Sequence, residues 1–202
     1  MRIKINIQIF AIIAILIFTK QIEIYVWLML FALIHELAHM CAGIILKLKP
    51  KALEIQPFGI GIVFESFENT EIKKIIIAIA GPVINIIMAI IFSNINMQNQ
   101  HMVVNANVLL SIFNLIPIYP LDGGRILKSI IKIQSKSQIA EDIINKTSNI
   151  LMICITIASS FLILIYKNIG LFIIVAYLWV IVIRENNRYI LRKRINKLIE
   201  KY

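Results

Sequence analysis

His35-Glu36-Leu37-Ala38-His39 carries the densest chemistry in this 202-residue sequence. Residues four apart share one face of a helix, so the two imidazoles can meet one divalent ion, and zinc is the metal this pattern suits. Glu36 projects beside them and can take a proton from a water at that ion. The competing reading is two histidines hydrogen-bonded to their helix neighbours. Catalytic zinc commonly takes three protein ligands. The remaining histidine, His101, falls in a loop assigned below to the opposite membrane face and reads as a surface residue. Asp122 is the better third ligand. It sits in Asn114-Leu115-Ile116-Pro117-Ile118-Tyr119-Pro120-Leu121-Asp122-Gly123-Gly124-Arg125. Two prolines prevent regular helix there and two glycines permit a tight turn, which can carry a carboxylate back toward a metal. An Asp in that place can also simply cap the helix that follows.

The elements that must position these groups belong in lipid. Hydrophobic residues make up 59% of the chain and mean hydropathy is +0.85, against about 45–50% apolar for a soluble domain. A spanning helix needs about 20 apolar residues. Six candidates run over 5–19, 24–46, 72–92, 103–119, 149–166 and 169–184. The fold class expected is all-α and polytopic, one membrane domain over 1–184 followed by a basic amphipathic tail over 185–202. The N-terminal apolar run lacks a small-residue cleavage site and reads as a retained helix. Cys41 and Cys154 lie in apolar runs and read as buried hydrophobes without a disulfide.

Net charge is +10, and its placement explains it. With six spans both termini share a side. If that side is cytosolic, 19 of the 21 Lys and Arg face the cytosol, leaving Lys20 and Lys167 outside. The charge then needs no nucleic acid. On the same topology His39 lies about 10 Å below the inner end of the second span, at 1.5 Å per residue. An ionisable group at that depth is costly unless it has a function.

Between the second and third spans, Pro50 to Thr70 mixes helix breakers with the strand-favouring Ile62-Val63-Phe64. Two readings stand: a small β-hairpin dipping into the membrane, with its backbone covered by protein or facing a water-filled cavity, or an ordinary cytosolic loop.

At His35-Glu36-Leu37-Ala38-His39, at Ala80-Gly81-Pro82-Val83-Ile84-Asn85 and at Asn114 through Arg125, the chain resembles the site-2 protease family of intramembrane zinc metalloproteases, peptidase M50, and most of all its sporulation subgroup. The resemblance implies one zinc per chain on His35, His39 and Asp122, Glu36 as general base, and Asn85 and Asn114 near the substrate. It also implies the membrane-embedded hairpin, where Phe58-Gly59 would meet substrate. It implies an active site near the cytosolic face, in the cell membrane or the forespore outer membrane, and a membrane-associated substrate of the pro-sigma-K type. Inhibitory membrane partners are implied as well. Many members of the subgroup carry a C-terminal CBS domain, and the tail after 184 has no room for one. Two further readings are an anti-sigma factor or peptide precursor as substrate, and a metal transporter or sensor. The latter would need ligands at several depths along a polar path.

Overall fold

The computed structural model describes residues 2–5, 22–48, 50–56, 59–64, 70–166 and 169–199. The first expected span, over 5–19, therefore lies almost wholly outside the described residues. The chain divides into two compact units, Met1–Leu115 and Ile116–Tyr202.

In the first unit a strand, β1 (Arg2–Ile5), precedes helix α1 (Ile22–Ile45). Strands β2 (Pro50–Gln56) and β3 (Gly59–Phe64) follow, then helices α2 (Glu71–Ser93) and α3 (Gln100–Leu115). The strands form one sheet in the order β1-β2-β3. β1 runs parallel to β2 with Arg2 opposite Ala52, and β2 runs antiparallel to β3 with Gln56 opposite Gly59. The ladder is irregular at Pro50 and Ala52. A proline has no N–H to give a ladder, so the first position of a strand suits it.

α1 ends in a Schellman turn. The Leu48 N–H donates to the Gly43 carbonyl at 2.9 Å and the Lys47 N–H to the Ile44 carbonyl at 2.8 Å, with Lys47 at φ 63°. The turn presses Leu48 onto Ile77 of α2, with Ala42 and Leu46 alongside. A second cluster holds the three helices together around Phe31, Val103 and Ala106. Phe31 stacks on Trp27 at 5.9 Å and meets Phe92 edge-on at 5.8 Å. α2 carries Pro82 in its interior, where the Ala78 carbonyl has no amide to receive. Ser111 of α3 donates to the Pro82 carbonyl at 3.2 Å.

The second unit holds α4 (Asp122–Gln134), α5 (Ser137–Tyr166) and α6 (Ile169–Ile199). Ala140, Ile144, Met152, Val175, Leu178 and Val182 are buried within it. Trp179 donates to Thr156 at 2.9 Å and Asn186 to Asn149 at 3.1 Å. Nearer the polar ends, Tyr189 and Lys193 of α6 both bond Asp142 of α5. The expected separate tail helix is the continuation of α6, which runs unbroken past residue 184. No Gly or Pro follows Gly170 to stop it, and those bonds to α5 hold its polar half.

The surface inverts the usual soluble pattern. On α2 the buried residues are Ile77, Ala78, Gly81, Pro82, Asn85 and Ala89. Ile72, Ile76, Ile79, Val83, Ile86, Ile87, Ile90 and Ile91 are exposed. Small and polar groups inside with large aliphatics outside is what a bilayer solvent selects, since lipid contact costs an isoleucine nothing and small residues let helices approach. Three helices are long and apolar enough to cross a membrane among the described residues: Val26–Ile45, Glu71–Ser93 and Ser137–Leu162. Cys41 and Cys154 are exposed and unpaired with each other, not buried as their apolar surroundings suggested. In a span, an apolar run marks contact with lipid as readily as burial in protein.

Candidate metal centre

α1 has no internal helix breaker before Gly43, so its period of 3.6 stacks His35 under His39. Both are buried, at 6% and 3% exposure. Their rings stand at 88° with centroids 4.7 Å apart, and the two Nε2 atoms are 3.1 Å apart. Two nitrogens bound at about 2.0–2.1 Å to one tetrahedral zinc would be about 3.3 Å apart. The pair thus already converges at the separation that a shared ion requires.

α2 completes the surroundings. His39 Nδ1 lies 2.6 Å from the Ile77 carbonyl oxygen. A carbonyl only accepts, so Nδ1 carries the proton and Nε2 presents a lone pair, the tautomer a metal ligand needs. Gly81, one turn later, has its backbone against both rings. A Cβ there would stand 2.5 Å from His35 Nε2 and 2.5 Å from His39 Nε2. Only glycine leaves space in front of the two donor atoms. Asn85, one further turn on, is fully buried, and neither atom of its amide has a hydrogen-bond partner among the described residues. Glu36 is buried at 8% exposure next to His35.

In the second unit Asp122 is the first residue of α4, with Leu121 at the capping position. It is not the cap. As a first-turn acid it faces the positive end of the helix dipole, and it is buried at 4% exposure. Arg125 reaches it at 3.8 Å. The approach is set by Ile116–Leu121. The Leu121 N–H donates to Ile118, the Arg125 N–H to Leu121 and the Tyr119 N–H to Ser148. Gly124 permits this fold-back. A Cβ on it would stand 2.5 Å from the Ile118 carbonyl carbon and 2.5 Å from the Tyr119 nitrogen.

Among the other expected residues, Asn114 is half-buried and donates to Leu110 of its own helix at 2.9 Å. Gly59 opens β3 opposite Gln56, and Phe58 lies outside the described residues. His101 is exposed at the start of α3. Three features were missed by sequence reasoning: the Ile77 carbonyl, the contact of Gly81 with both imidazoles, and Asn107. Asn107 is fully buried on α3, donates to Val103 at 2.9 Å and leaves its oxygen without a partner among the described residues. Its signal was a polar amide within an apolar helix.

The donor set fits zinc: two imidazoles with one tautomer fixed, and a buried carboxylate. Comparison with known proteins adds an independent line. Peptidase family M50 matches over residues 93–157, a stretch that includes Asn114 and Asp122 but not the histidine pair. The stage IV sporulation protein FB of Bacillus subtilis is 28% identical over 192 residues, covering 91% of this chain and 65% of that protein. A zinc metalloprotease of Methanocaldococcus jannaschii, MJ0392, is 29% identical over 118 residues, covering 54% of this chain and 34% of that protein. The chain thus spans less than two thirds of the length of either relative. The solved structure of a site-2 protease from Methanocaldococcus jannaschii shares the fold, with a TM-score of 0.71 at 21% identity over 91% of this chain and 89% of that one. Motif, sequence and fold converge, and the chain is similar to Peptidase family M50 and to proteases of the site-2 type.

Proposed function

We propose that this chain is an intramembrane zinc metalloendopeptidase, with His35, His39 and Asp122 as zinc ligands and Glu36 as general base. The observation that carries the reading is the paired imidazoles of α1, with Nε2 atoms 3.1 Å apart, His39 locked in the ligand tautomer, and Gly81 leaving space before them. Each of the three proposed ligands is buried and offers one donor atom. When bound, zinc acts as a Lewis acid that acidifies a water and polarises a carbonyl oxygen. Glu36 then accepts the proton of the attacking water and delivers it to the departing amine, so that one peptide bond is replaced by a carboxylate and an amine. Burial keeps Glu36 apart from bulk solvent.

Substrate arrives as a membrane segment that must unwind, because a helix hides its carbonyls in its own hydrogen bonds. Asn85 meets that need. Its amide has an unused donor and acceptor one turn from Gly81, suited to an exposed peptide group. Asn114, Phe58 and Gly59 complete the proposed substrate contacts, with β2 and β3 as a membrane-dipping hairpin to which an extended strand can add. The topology proposed is six spans with both termini cytosolic and the metal near the cytosolic face, supported by the distribution of Lys and Arg. The substrate proposed is a sporulation sigma-factor precursor of the pro-sigma-K type, supported by the similarity to the stage IV sporulation protein.

The test is co-expression with pro-sigma-K, with metal content of the purified protein measured by mass spectrometry. Processing by the wild type and none by Glu36→Gln, each with one zinc per chain, is the expected result. Zinc-loaded protein that leaves this precursor intact but cuts an anti-sigma factor would move the substrate and keep the enzyme. Absence of zinc from active protein would remove the mechanism.

A further inference from the structure

α4 reads Asp-Gly-Gly-Arg-Ile-Leu-Lys-Ser-Ile-Ile-Lys-Ile-Gln. Helical spacing gathers Ile126, Ile130 and Ile133 on one side and Arg125, Lys128 and Lys132 on another. Lys128 is held inside the unit, against Glu141 at 3.2 Å and over the Tyr119 ring. Ile130 and Ile133 are 42% and 55% exposed, and the Arg125 side chain is 46% exposed. Exposed isoleucines on a helix that also exposes a cation suit neither water nor the hydrocarbon core. They suit the layer between the two.

The connection to α5 fixes where α4 can be. Only Ser135 and Lys136 separate Gln134 from Ser137, and Ser137–Leu162 is a candidate membrane crossing. The three residue steps from Gln134 to Ser137 reach at most about 11 Å, so α4 cannot leave the surface at which that crossing begins. The first turns of α5 continue the pattern, with Ile139 and Ile143 exposed and Lys136 and Lys146 exposed near them. Over residues 122–146 five Lys and Arg face three Asp and Glu. That surplus is complementary to anionic lipid and opposed to a second copy of the same surface.

We propose that α4 is an interfacial helix seated on the anionic leaflet of the protein's own bilayer. Ile130 and Ile133 enter the acyl boundary, and Arg125 and Lys136 contact lipid phosphates. The lipid contact is independent of the zinc reading. Its consequence rests on that reading: α4 begins at Asp122, so the seating of this helix sets the depth of a proposed ligand.

The test uses the full chain in proteoliposomes, in a Cys41→Ser, Cys154→Ser background with a single cysteine at Ile133 or, separately, at Ile130, each carrying an environment-sensitive fluorophore. Lipid bearing a nitroxide high on the acyl chain is expected to quench both labels several-fold more than aqueous iodide. Phosphatidylglycerol is expected to increase that quenching over phosphatidylcholine alone, and Arg125→Gln with Lys136→Gln to abolish the increase. Iodide reaching both labels would overturn the proposal by placing the face in water. Cross-linking between chains through position 133 would assign it to a second copy, and quenching indifferent to phosphatidylglycerol would remove the anionic lipid. The second labelling position guards against a single damaging substitution. Zinc content measured on the same samples keeps a failed metal reading distinct from a failed lipid contact.

Discussion

His39 is oriented by a main-chain oxygen and faced by a missing side chain, and both relations yield predictions. Glu36→Gln keeps the shape of the side chain and removes its basicity. Turnover of a processed substrate is expected to fall by at least about 100-fold, the lower range for a lost general base, with zinc content unchanged by mass spectrometry. Gly81→Ala puts a methyl group where α1 and α2 now touch. The helices must part, and the bond from His39 to Ile77 goes with them. Zinc affinity in competition with a chelator is expected to drop by about 10–100-fold, the usual effect of losing an orienting partner. Unchanged affinity would mean that α2 does not confine the metal. At this scale His35, Glu36 and His39 were legible because their chemistry resides in side chains at a fixed spacing. The Ile77 carbonyl was not, since any residue supplies one and only the approach of α2 to α1 selects it. Asp122 was legible as a carboxylate in a Pro- and Gly-rich turn, whereas its place as first residue of α4, after Leu121, needed the backbone.

The turns that aim these residues belong to the level of elements. Lys47 holds a left-handed conformation that costs an L-residue about 1–2 kcal/mol. Lys47→Gly is therefore expected to stabilise the protein by about 1 kcal/mol in denaturant melts in detergent, with the Schellman turn retained. Gly124→Ala drives a methyl into the Ile118–Tyr119 backbone, which cannot swing aside as a side chain does. A loss of about 1–3 kcal/mol is expected in the same melts. The apolar runs announced α1, α2, α3 and α5 by composition. β1 escaped because the apolar run from residue 5 reads as a helix, although the strict alternation of Arg2-Ile3-Lys4-Ile5 is the signature of a strand. α6 was cut short at residue 184 because hydropathy falls there. A helix persists wherever its backbone is unbroken and its side chains find partners, as Tyr189 and Lys193 do on Asp142.

Over the whole molecule the exposed surface is a solvent statement. Ile86 is 46% exposed near the middle of α2, and arginine at the centre of a span costs about 2.5–3.5 kcal/mol on insertion scales. Ile86→Arg is expected to shift the chain toward the fraction released by alkaline extraction of membranes. Retention equal to wild type would mean that this face meets protein or water instead of lipid. Composition predicted the solvent, because 59% hydrophobic residues cannot be hidden in 202. It could not predict which faces of each helix turn inward. That choice is visible only where small residues and amides, such as Ala78, Gly81, Asn85 and Asn107, are set against a neighbouring helix.

The bond between His39 and Ile77 has an evolutionary corollary. An orienting partner made of backbone is shielded from point substitution, since every replacement at position 77 still supplies a carbonyl. Drift at that position is limited by packing against Leu48, and any apolar replacement that fills the same space leaves the protonation of the imidazole undisturbed. Only an insertion or deletion that slides one helix past the other would unlock it, so length changes in the two helices should be far rarer among descendants than substitutions at that residue.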